Sequence, residues 1–289
     1  MTNYPLIGFI GMGMLGEALA EMILVEVGAL SVWNRTRKKC DAIEKKGAFA
    51  AENIDELMQK SDWIFSCLSD DAAMQDITKI LSENNTAGKV HISMTTASPD
   101  AVHEATAIAR NAGITFINCP VMGRPDIIRA GKAGFMVAGD QKTAQTLIPL
   151  LRKIGANTAY LGNEPKTAAA YKLAVNYYIA TVIAGLSEAF TAIEAQGLKP
   201  KTLLDILMSG PAGSPVMEMF GTAILNPDET EALFQTHLAH KDMTYFRGAN
   251  EDNSNLHLLT GILEHFEQAI TQGNSTSDWS YFARHSLRK

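Results

Sequence analysis

The segment from Ile7 to Gly16, IGFIGMGMLG, constrains the fold more than any other part of the chain. A short apolar run, typical of a strand, leads into glycines spaced as G-x-G-x-x-G, and a helical pattern follows at once. In this motif the first glycine permits a tight turn, the second lets the backbone approach a pyrophosphate, and the third lets helix and strand pack closely. With that strand and helix around it, the motif predicts a dinucleotide site, which a glycine-rich turn alone would not. The predicted contacts are Gly11, Met12, Gly13, Met14, Leu15 and Gly16.

Short apolar runs alternate with amphipathic helical patterns through the first half of the chain. Asn53–Glu56 has the pattern of a capping box, and Ser98 followed by Pro99 has the pattern of a helix start. Strands that alternate with helices in this way form βαβ units, so residues 1–163 are predicted to be a doubly wound, mainly parallel sheet. The predicted strands are Leu6–Ile10, Leu30–Asn34, Asp62–Cys67, Lys89–Met94, Ile114–Cys119, Ala133–Ala138 and Thr158–Leu161.

The second half of the chain shows only helical patterns, so residues 164–289 are predicted to be an all-helical domain. It begins with one long helix over Lys166–Gln196, which is apolar on nearly every face. Such a helix must be covered on all sides, and we expect a partner subunit, in a homodimer or homotetramer, to contribute to that cover. The further predicted helices are Lys201–Met208, Pro215–Leu225, Thr236–Asn250 and Leu256–Thr271.

Composition narrows the class of protein and its partners. The 289 residues suffice for two domains, and 25 basic against 31 acidic side chains argue against binding to nucleic acid. The N-terminus lacks the pattern of a signal peptide, and the charge-free run over 173–187 is shorter than the ~18 residues of a membrane span. Three cysteines without metal or redox spacing are typical of reduced, buried thiols. We therefore expect a cytoplasmic protein that acts on a small molecule and contacts no membrane.

The end of the second predicted strand indicates which dinucleotide is bound. Proteins that bind NAD have a carboxylate there, which accepts a hydrogen bond from the ribose 2′-hydroxyl, whereas this chain continues Asn34-Arg35-Thr36-Arg37-Lys38. Arg35 offers a planar fork of donors to a 2′-phosphate, and Thr36 offers a hydroxyl. Arg37 and Lys38 either add charge or form the solvated start of a helix. The segment favours NADP(H), with Asn34, Arg35 and Thr36 as contacts.

Six segments together resemble the β-hydroxyacid dehydrogenase family, which is related to 6-phosphogluconate dehydrogenase. They are GFIGMGMLG at 8–16, VWNRT at 32–36, SMTT at 93–96, PVMG at 120–123, YKLAVN at 171–176 and HKDM at 240–243. The motifs look most like the NADPH-dependent glyoxylate and succinic semialdehyde reductase branch. The resemblance implies a Rossmann domain and an all-α domain with the site in the cleft between them. It also implies hydride transfer between NADP(H) and the carbonyl or hydroxyl group of a small acid or aldehyde.

The resemblance assigns general acid/base catalysis to Lys172 and substrate orientation to Asn176. These residues are four apart, so they share one face of the long helix. Lys172 stands directly before the charge-free run, where desolvation would lower the pKa of its ammonium group towards the working pH. The alternative is a lysine whose ammonium group reaches solvent along an apolar helix.

The resemblance implies further contacts with the cofactor and the substrate. The cofactor contacts are Leu68, Ser69, Thr96 and Lys241, and the substrate contacts are Thr96, Met122, Gly123, Arg124, Phe234 and Asp242. An exposed helix pair is the alternative for Lys241 and Asp242. The family pattern at the substrate loop is Val-Ser-Gly-Gly, and here Met122 and Arg124 replace the serine and the second glycine. Arg124 has three alternatives, namely to clamp a carboxylate, to face solvent, or to pair with Asp126.

Two other functions stay open at this point. An imine reductase is a fold relative with similar NADPH motifs, but that group usually carries another residue where Lys172 stands. A nucleotide-binding protein without turnover, a sensor or scaffold, is favoured by the altered substrate loop. His237 and His240 are three apart on a predicted helix, but no third ligand accompanies them, so we expect no metal.

Overall fold

A computed structural model describes residues 4–83, 88–226, 230–252 and 255–287, with side chains as far as residue 283. The chain forms two compact units, Met1–Lys172 and Leu173–Lys289. The predicted boundary at residue 163 precedes the long helix, α8 (Lys166–Ala195), whereas the compact units divide within it. The reason is that the first turns of α8 belong to the first unit. Ala169 packs in that unit's core, and Asn118 Nδ2 donates to the Pro165 carbonyl at 3.2 Å.

The first unit is built on a mainly parallel sheet. Its strands are β1 (Ile7–Ile10), β2 (Ser31–Trp33), β3 (Phe49–Ala50), β4 (Trp63–Ser66), β5 (Val90–Ser93), β6 (Thr115–Asn118), β7 (Val121–Met122), β8 (Gly134–Gly139) and β9 (Asn157–Tyr160). Six of them are parallel in the order β3-β2-β1-β4-β5-β6. β8 continues the sheet antiparallel to β6, and it pairs with β7 and β9. The predicted doubly wound sheet is confirmed, while β3 and β7, two residues each, are additional strands.

Both faces of this sheet are covered, as a parallel sheet requires. All four residues of β1 are buried, and its successive side chains Phe9 and Ile10 belong to the two different core clusters. The Phe9 ring stacks on that of Phe65 in β4 at 6.2 Å between centroids. The covering helices are α1 (Met14–Val27), α2 (Asp41–Glu44), α3 (Ile54–Gln59), α4 (Asp71–Glu83), α5 (Pro99–Asn111), α6 (Pro125–Arg129) and α7 (Gln141–Ile154).

Helices α3 and α5 begin with the side-chain caps that the sequence predicts. Asn53 Oδ1 accepts from the Glu56 amide at 2.9 Å, as a capping box predicts. The Glu56 carboxylate, however, accepts from the amide of Glu52 at 2.9 Å and not from that of Asn53. Ser98 Oγ accepts from the Ala101 amide at 3.2 Å, so α5 begins where the sequence indicated.

The second unit is helical, as predicted. After the remainder of α8 come α9 (Pro200–Ser209), α10 (Pro215–Leu225), α11 (Thr236–Gly248), α12 (His257–Thr271) and a 3₁₀ helix over Trp279–Leu287. Aliphatic and aromatic side chains together form the core of this unit, in which the Phe266 and Phe282 ring centroids lie 4.4 Å apart. Each large side chain that is fully buried stabilises the unit by roughly 1.5–3 kcal/mol.

Helix α8 is the one helix of the described residues that is long and apolar enough to cross a membrane. This is weak evidence for a span, because an internal helix of a globular protein has the same length and composition. Ile183, Leu186 and Phe190 are buried in the core of the second unit. This part of α8 therefore has a packing role within its own unit.

Candidate active site

The glycine-rich turn after β1 has the geometry that a pyrophosphate needs. Gly11 has φ +99, and a Cβ there would overlap the Cys67 carbonyl oxygen, while a Cβ at Gly16 would overlap the Gly11 carbonyl oxygen. A Cβ at Gly13 would meet no atom within 4 Å. Two glycines thus permit close packing, and the third leaves open space at the start of α1. The residues present fit a dinucleotide phosphate.

The start of α1 is exposed and carries the positive end of the helix dipole. Gly13 is the N-cap residue and contributes no side-chain hydrogen bond, and the Met14 side chain is exposed. The Met12 amide is different, because it donates to Asn34 Oδ1 at 2.9 Å. The amides after Gly13 therefore suit an anion, whereas that of Met12 holds the turn in place.

The two arginines of the loop after β2 differ in their ion pairs. Arg37 pairs with Glu44 at 3.0 Å and with Asp41 at 3.4 Å. Arg35 is exposed, and no carboxylate of the described residues pairs with it. Of the two arginines, Arg35 is the one able to meet a 2′-phosphate without losing an existing ion pair.

The loops after β4 and β5 are joined by hydrogen bonds that the sequence analysis missed. The Leu68 amide donates to Thr95 Oγ1 at 3.0 Å. The Asp71 carboxylate accepts from the Ser98 amide at 2.9 Å and from its hydroxyl at 2.6 Å. These bonds fix the backbone around Leu68 and beside the half-buried Thr96. The signal in the sequence is slight, since it consists of paired threonines and an aspartate placed shortly after two strands.

Ser69 follows Leu68 and is exposed at the same edge of the sheet. Its hydroxyl donates to the Asp70 carboxylate at 2.7 Å. The hydroxyl thus has a local partner, which a ribose contact would have to share or replace.

Lys172, on the predicted catalytic face of α8, is 9% exposed and contacts the substrate loop. Its Nζ donates to Met122 Sδ at 3.7 Å. Met122 lies in β7, where it pairs with Gly134 of β8, so its backbone is fixed in the sheet. Gly123 follows with φ +154, a conformation that favours glycine, and turns the chain towards α6. Residues 50 positions apart in the sequence are thus brought together.

Arg124 pairs with Asp126, which is one of the three alternatives given for its side chain. Its Nη2 lies 3.0 Å from Asp126 Oδ2, and its Nε is buried without an acceptor among the described residues. Partial burial acts to raise the pKa of Asp126. The hydrogen bond and charge of Arg124 outweigh that effect, so this pKa lies below its ordinary value. The guanidinium is therefore engaged and not extended as a free fork.

Asn176, one turn after Lys172 on α8, is held by a buried carboxylate of α11. Its Nδ2 donates to Asp242 Oδ2 at 2.7 Å, and Lys241 Nζ lies 2.9 Å from Asp242 Oδ1. Lys241 Nζ also lies 4.6 Å from the centre of the Tyr245 ring. Asp242 is completely buried, so the alternative of an exposed helix pair is wrong. Because a carboxylate only accepts, this contact fixes the orientation of the Asn176 amide.

The remaining candidates of the second unit have partners of their own. The half-buried Phe234 ring packs edge-on against Trp279, at 5.1 Å between centroids. His237 Nδ1 donates to the Ser275 carbonyl at 2.9 Å, while His240 Nε2 lies 3.8 Å from the Glu267 carboxylate. The two imidazoles thus contact different groups. Within the described ranges no three ligating side chains are close enough to hold a metal.

The fold and the phosphate loop define a dinucleotide-binding protein, and comparison with known proteins gives the family. Residues 6–162 match the family described as the NAD binding domain of 6-phosphogluconate dehydrogenase. Residues 167–286 match the family described as NAD-binding of NADP-dependent 3-hydroxyisobutyrate dehydrogenase. The chain belongs to the β-hydroxyacid dehydrogenase family, whose members are NAD(P)-binding dehydrogenases and reductases that act on CH–OH or C=O groups.

Individual relatives match over nearly the whole chain. An uncharacterized oxidoreductase of Bacillus subtilis, YfjR, is 31% identical over 95% of this chain and 97% of its own. Glyoxylate/succinic semialdehyde reductase 1 of Arabidopsis thaliana is 27% identical over 95% of this chain and 96% of its own. The chain also spans 45% of the nuclear factor N-PAC of Danio rerio, at 28% identity over 71% of this chain.

Solved structures share the fold at lower identity. The 3-hydroxyisobutyrate dehydrogenase of Mycobacterium tuberculosis has a TM-score of 0.89 at 19% identity, covering 99% of this chain and 100% of its own. An imine reductase of Aspergillus terreus has a TM-score of 0.67 at 22% identity, covering 97% and 99%. At these identities the likeness concerns the fold alone.

Proposed function

We propose that the protein is an NADP(H)-dependent reductase or dehydrogenase of a small acid or aldehyde, of the 3-hydroxyacid or semialdehyde type. Lys172 is its general acid/base. The observation that carries this proposal is the buried Lys172 on α8, with Asn176 one turn further on and held by Asp242. The glycine-rich turn of the family's cofactor-binding domain supplies the nucleotide site.

The cofactor would be held by the phosphate loop and the loop after β2. The open space at Gly13 and the start of α1 receive the pyrophosphate, and Arg35 with Thr36 receives the 2′-phosphate. Asn34 acts through the Met12 amide that it holds. When bound, the nicotinamide donates or accepts a hydride. The further proposed contacts are Leu68, Ser69, Thr96 and Lys241 for the cofactor, and Thr96, Met122, Gly123, Arg124, Phe234 and Asp242 for the substrate.

The proton transfer is assigned to Lys172 Nζ. During reduction it donates a proton to the carbonyl oxygen, and during oxidation it takes one from the hydroxyl group. Its contact with Met122 Sδ at 3.7 Å supports this role, because the ammonium group lies beside the proposed substrate loop. Asn176, with its amide fixed by Asp242, orients the substrate.

Replacement of Lys172 by Ala tests the assignment. We expect kcat to fall by roughly 10²–10⁴-fold, the usual size of a general acid/base contribution, with little change in NADPH affinity. The pH profile should lose the limb on which wild-type turnover slows as the lysine deprotonates. Lys172→Arg should not restore turnover, since a guanidinium stays protonated. Steady-state kinetics and NADPH titration measure these quantities.

Lys166→Ala is the matched control, because Lys166 lies on the same helix and is exposed. It should keep wild-type kinetics. Near-native turnover of Lys172→Ala on a verified substrate would show that the proton comes from water or another group.

Two other functions are candidates. One is an imine reductase, and the other is an NADP-binding sensor or scaffold without turnover. Met122, at the position where the family pattern has serine, favours the sensor or scaffold. Retention of Lys172 and Asn176 favours carbonyl chemistry instead. A panel of aldehydes, ketoacids and imines, followed by NADPH absorbance, separates the candidates. Turnover of imines but of no aldehyde or ketoacid would support the imine reductase. Tight NADPH binding without turnover of any compound in the panel would support the sensor or scaffold.

We also propose how the protein assembles and where it is located. Within the second unit, α8 has exposed residues at Tyr178 and Gly185 and half-buried ones at Val175, Val182 and Ala189, at alternating spacings of three and four. This spacing places them on one stripe of the helix, which we call the α8 stripe. The stripe supports a homodimer or homotetramer. The protein is proposed to be cytoplasmic, with a small-molecule substrate and without nucleic-acid or membrane contacts.

A further inference from the structure

The buried side chain of Asn118, at the end of β6, contacts the start of α8. Its Nδ2 donates to the Pro165 carbonyl oxygen at 3.2 Å. That oxygen also accepts from the Ala168 amide at 3.2 Å, so it keeps a partner whether or not Asn118 is present. The effect of the Asn118 contact therefore lies in joining the sheet to the helix.

One face of the first two turns of α8 is buried. Pro165, Ala168, Ala169 and Lys172 are all buried, and their spacings of three, four and seven place them on that face. Ala169 packs in the core of the first unit through apolar contacts, which have no preferred direction. The hydrogen bond from Asn118 is directional, so it defines which residue of α8 lies at the end of β6.

The same face of α8 carries Lys172, whose Nζ donates to Met122 Sδ at 3.7 Å. Asn118 and Met122 are four residues apart, so an extended chain places Met122 at most about 13 Å beyond Asn118. Pro165 and Lys172 are seven residues apart, which is about 10 Å along a helix. Because the two lengths are similar, the segment 118–122 contacts α8 near both of its ends, at Pro165 and at Lys172.

A displacement of α8 by one residue along this segment would remove Lys172 from the loop. One residue of a helix corresponds to about 1.5 Å along the axis and about 100° around it. A general acid/base must lie within hydrogen-bonding reach of the substrate, and a displacement of about 1 Å can cost about 100-fold in rate. The register of α8 against the segment 118–122 therefore matters for the proposed proton transfer.

We infer that Asn118 is a positioning residue, which fixes the register of α8 against the segment 118–122 and so places Lys172 Nζ beside the substrate loop. The kinetic consequence of this inference rests on the proposed function. The Asn118 amide also has a cost, because its Oδ1 is buried without a donor among the described residues. A buried acceptor without a donor destabilises a fold, so stability alone does not account for asparagine at this position.

Asn118→Leu tests the inference, because it keeps the side-chain volume and removes the donor. With NADPH and succinic semialdehyde, we expect kcat to fall by roughly 10- to 100-fold, while KM and NADPH affinity stay within about threefold of wild type. The midpoint of thermal unfolding should not fall, because the unpaired Oδ1 is removed and the Pro165 carbonyl keeps the Ala168 amide. Asn118→Ala, which lacks the donor and cannot overfill the site, should show the same loss of kcat at unchanged KM.

Ser93→Ala is the matched control. Ser93 of β5 pairs in register with Asn118 and is equally buried. Its hydroxyl has no hydrogen-bond partner in the part of the chain that the structure describes, so it does not hold α8. This variant should keep wild-type kinetics.

Chemical labelling tests the position of Lys172 without turnover. In competitive acetylation with acetic anhydride, Lys166 is the internal standard, because it is exposed on the same helix. The ratio of Lys172 to Lys166 labelling should rise several-fold in Asn118→Leu and Asn118→Ala, since Lys172 is no longer held in its buried position. The ratio should stay unchanged in Ser93→Ala.

Wild-type kcat in both Asn118 variants, or an unchanged labelling ratio, would overturn the inference. An equal loss of kcat in Ser93→Ala, or a loss in both Asn118 variants that only accompanies unfolding, would overturn it as well. Failure of the proposed function is distinguishable, because wild type would then reduce no aldehyde. The labelling ratio would still decide whether Asn118 positions Lys172.

Discussion

At the scale of single residues, neighbouring side chains of the same type have different partners and therefore different roles. Arg35 and Arg37 are two positions apart, yet Arg37 is held by two carboxylates of the following helical turns. Arg35 is exposed beside the phosphate loop, and no such partner lies among the residues whose placement is described. The sequence alone favoured Arg35, and the ion pairs of Arg37 give the physical reason.

Cofactor choice is accordingly predicted to depend on Arg35. Arg35→Ala should weaken NADPH binding by about 1.5–3 kcal/mol, the range for a hydrogen bond to a charged group, and leave NADH binding nearly unchanged. Fluorescence titration with both cofactors measures the effect. Arg37→Ala is the control and should change neither affinity much. Equal losses for both cofactors in Arg35→Ala, or equal wild-type affinities, would contradict the assignment.

At the scale of elements, a buried histidine joins two strands and a helix of the first unit. His91 of β5 lies 2.9 Å from Ser66 Oγ of β4 and 3.4 Å from Thr78 Oγ1 of α4, and its ring packs edge-on against Phe116 of β6. Burial lowers the pKa of His91 from 6.5 to about 3. The folded protein thus keeps this imidazole neutral over a range in which the unfolded chain protonates it.

The stability of the first unit should consequently fall as the pH falls from 6.5 towards 3. In that window the unfolded state binds one more proton at His91, so unfolding becomes more favourable. Between pH 7.5 and pH 5, above the range of ordinary carboxyl groups, the loss from this group is about 2 kcal/mol. Urea unfolding at a series of pH values measures it.

His91→Gln provides the comparison, because glutamine cannot titrate. It should be less stable than wild type at pH 7.5 but should lose less stability on acidification. An identical pH dependence in both proteins would show that His91 titrates normally in the folded state.

The sequence predicts a helix or strand well when the interactions that form it are between residues close together in the chain. Residue periodicity and caps are local, and the helices from α9 to α12 begin and end within two residues of the predicted bounds. Strand β7 was not predicted because its two residues are strand only through pairing with β8, twelve or more positions later.

In the candidate site, too, contacts between residues far apart in the chain could not be predicted from local patterns. The family resemblance pointed to Lys172 and Asn176, and their spacing of four residues predicted that they share one face of a single helix. The partner of Asn176, Asp242, is 66 positions away, and no local pattern connects the two. Its buried position follows from the packing of α11, which the sequence predicted only as a helix.

At the scale of the whole molecule, the α8 stripe is the surface through which we propose that copies of the protein associate. Tyr178 is exposed and Val182 is half-buried, so this face of the helix leaves apolar surface in contact with water. We expect a second copy of the protein to cover that surface. Association through a symmetric patch of this kind gives closed dimers or tetramers.

Sedimentation velocity at micromolar concentration should therefore show a dimer or a tetramer. Tyr178→Glu, which places a charge on the stripe, should shift the distribution towards the monomer. Leu258→Glu is the matched control, because Leu258 is equally exposed but lies on α12. A wild-type monomer would mean that α8 needs no cover beyond its own chain.

The hydrogen bond from the Met12 amide to Asn34 has a consequence for redesign of the enzyme. It ties the glycine-rich turn, which we propose approaches the pyrophosphate, to the loop that we propose contacts the ribose, and Asn34 Nδ2 in turn donates to the Thr36 carbonyl at 3.0 Å. Exchanging the 34–36 segment for an acidic one would therefore alter the phosphate cradle along with the ribose contacts. We therefore expect cofactor preference and cofactor affinity to be coupled in this protein, and we propose that a switch to NADH is best engineered at Arg35 with Asn34 left in place.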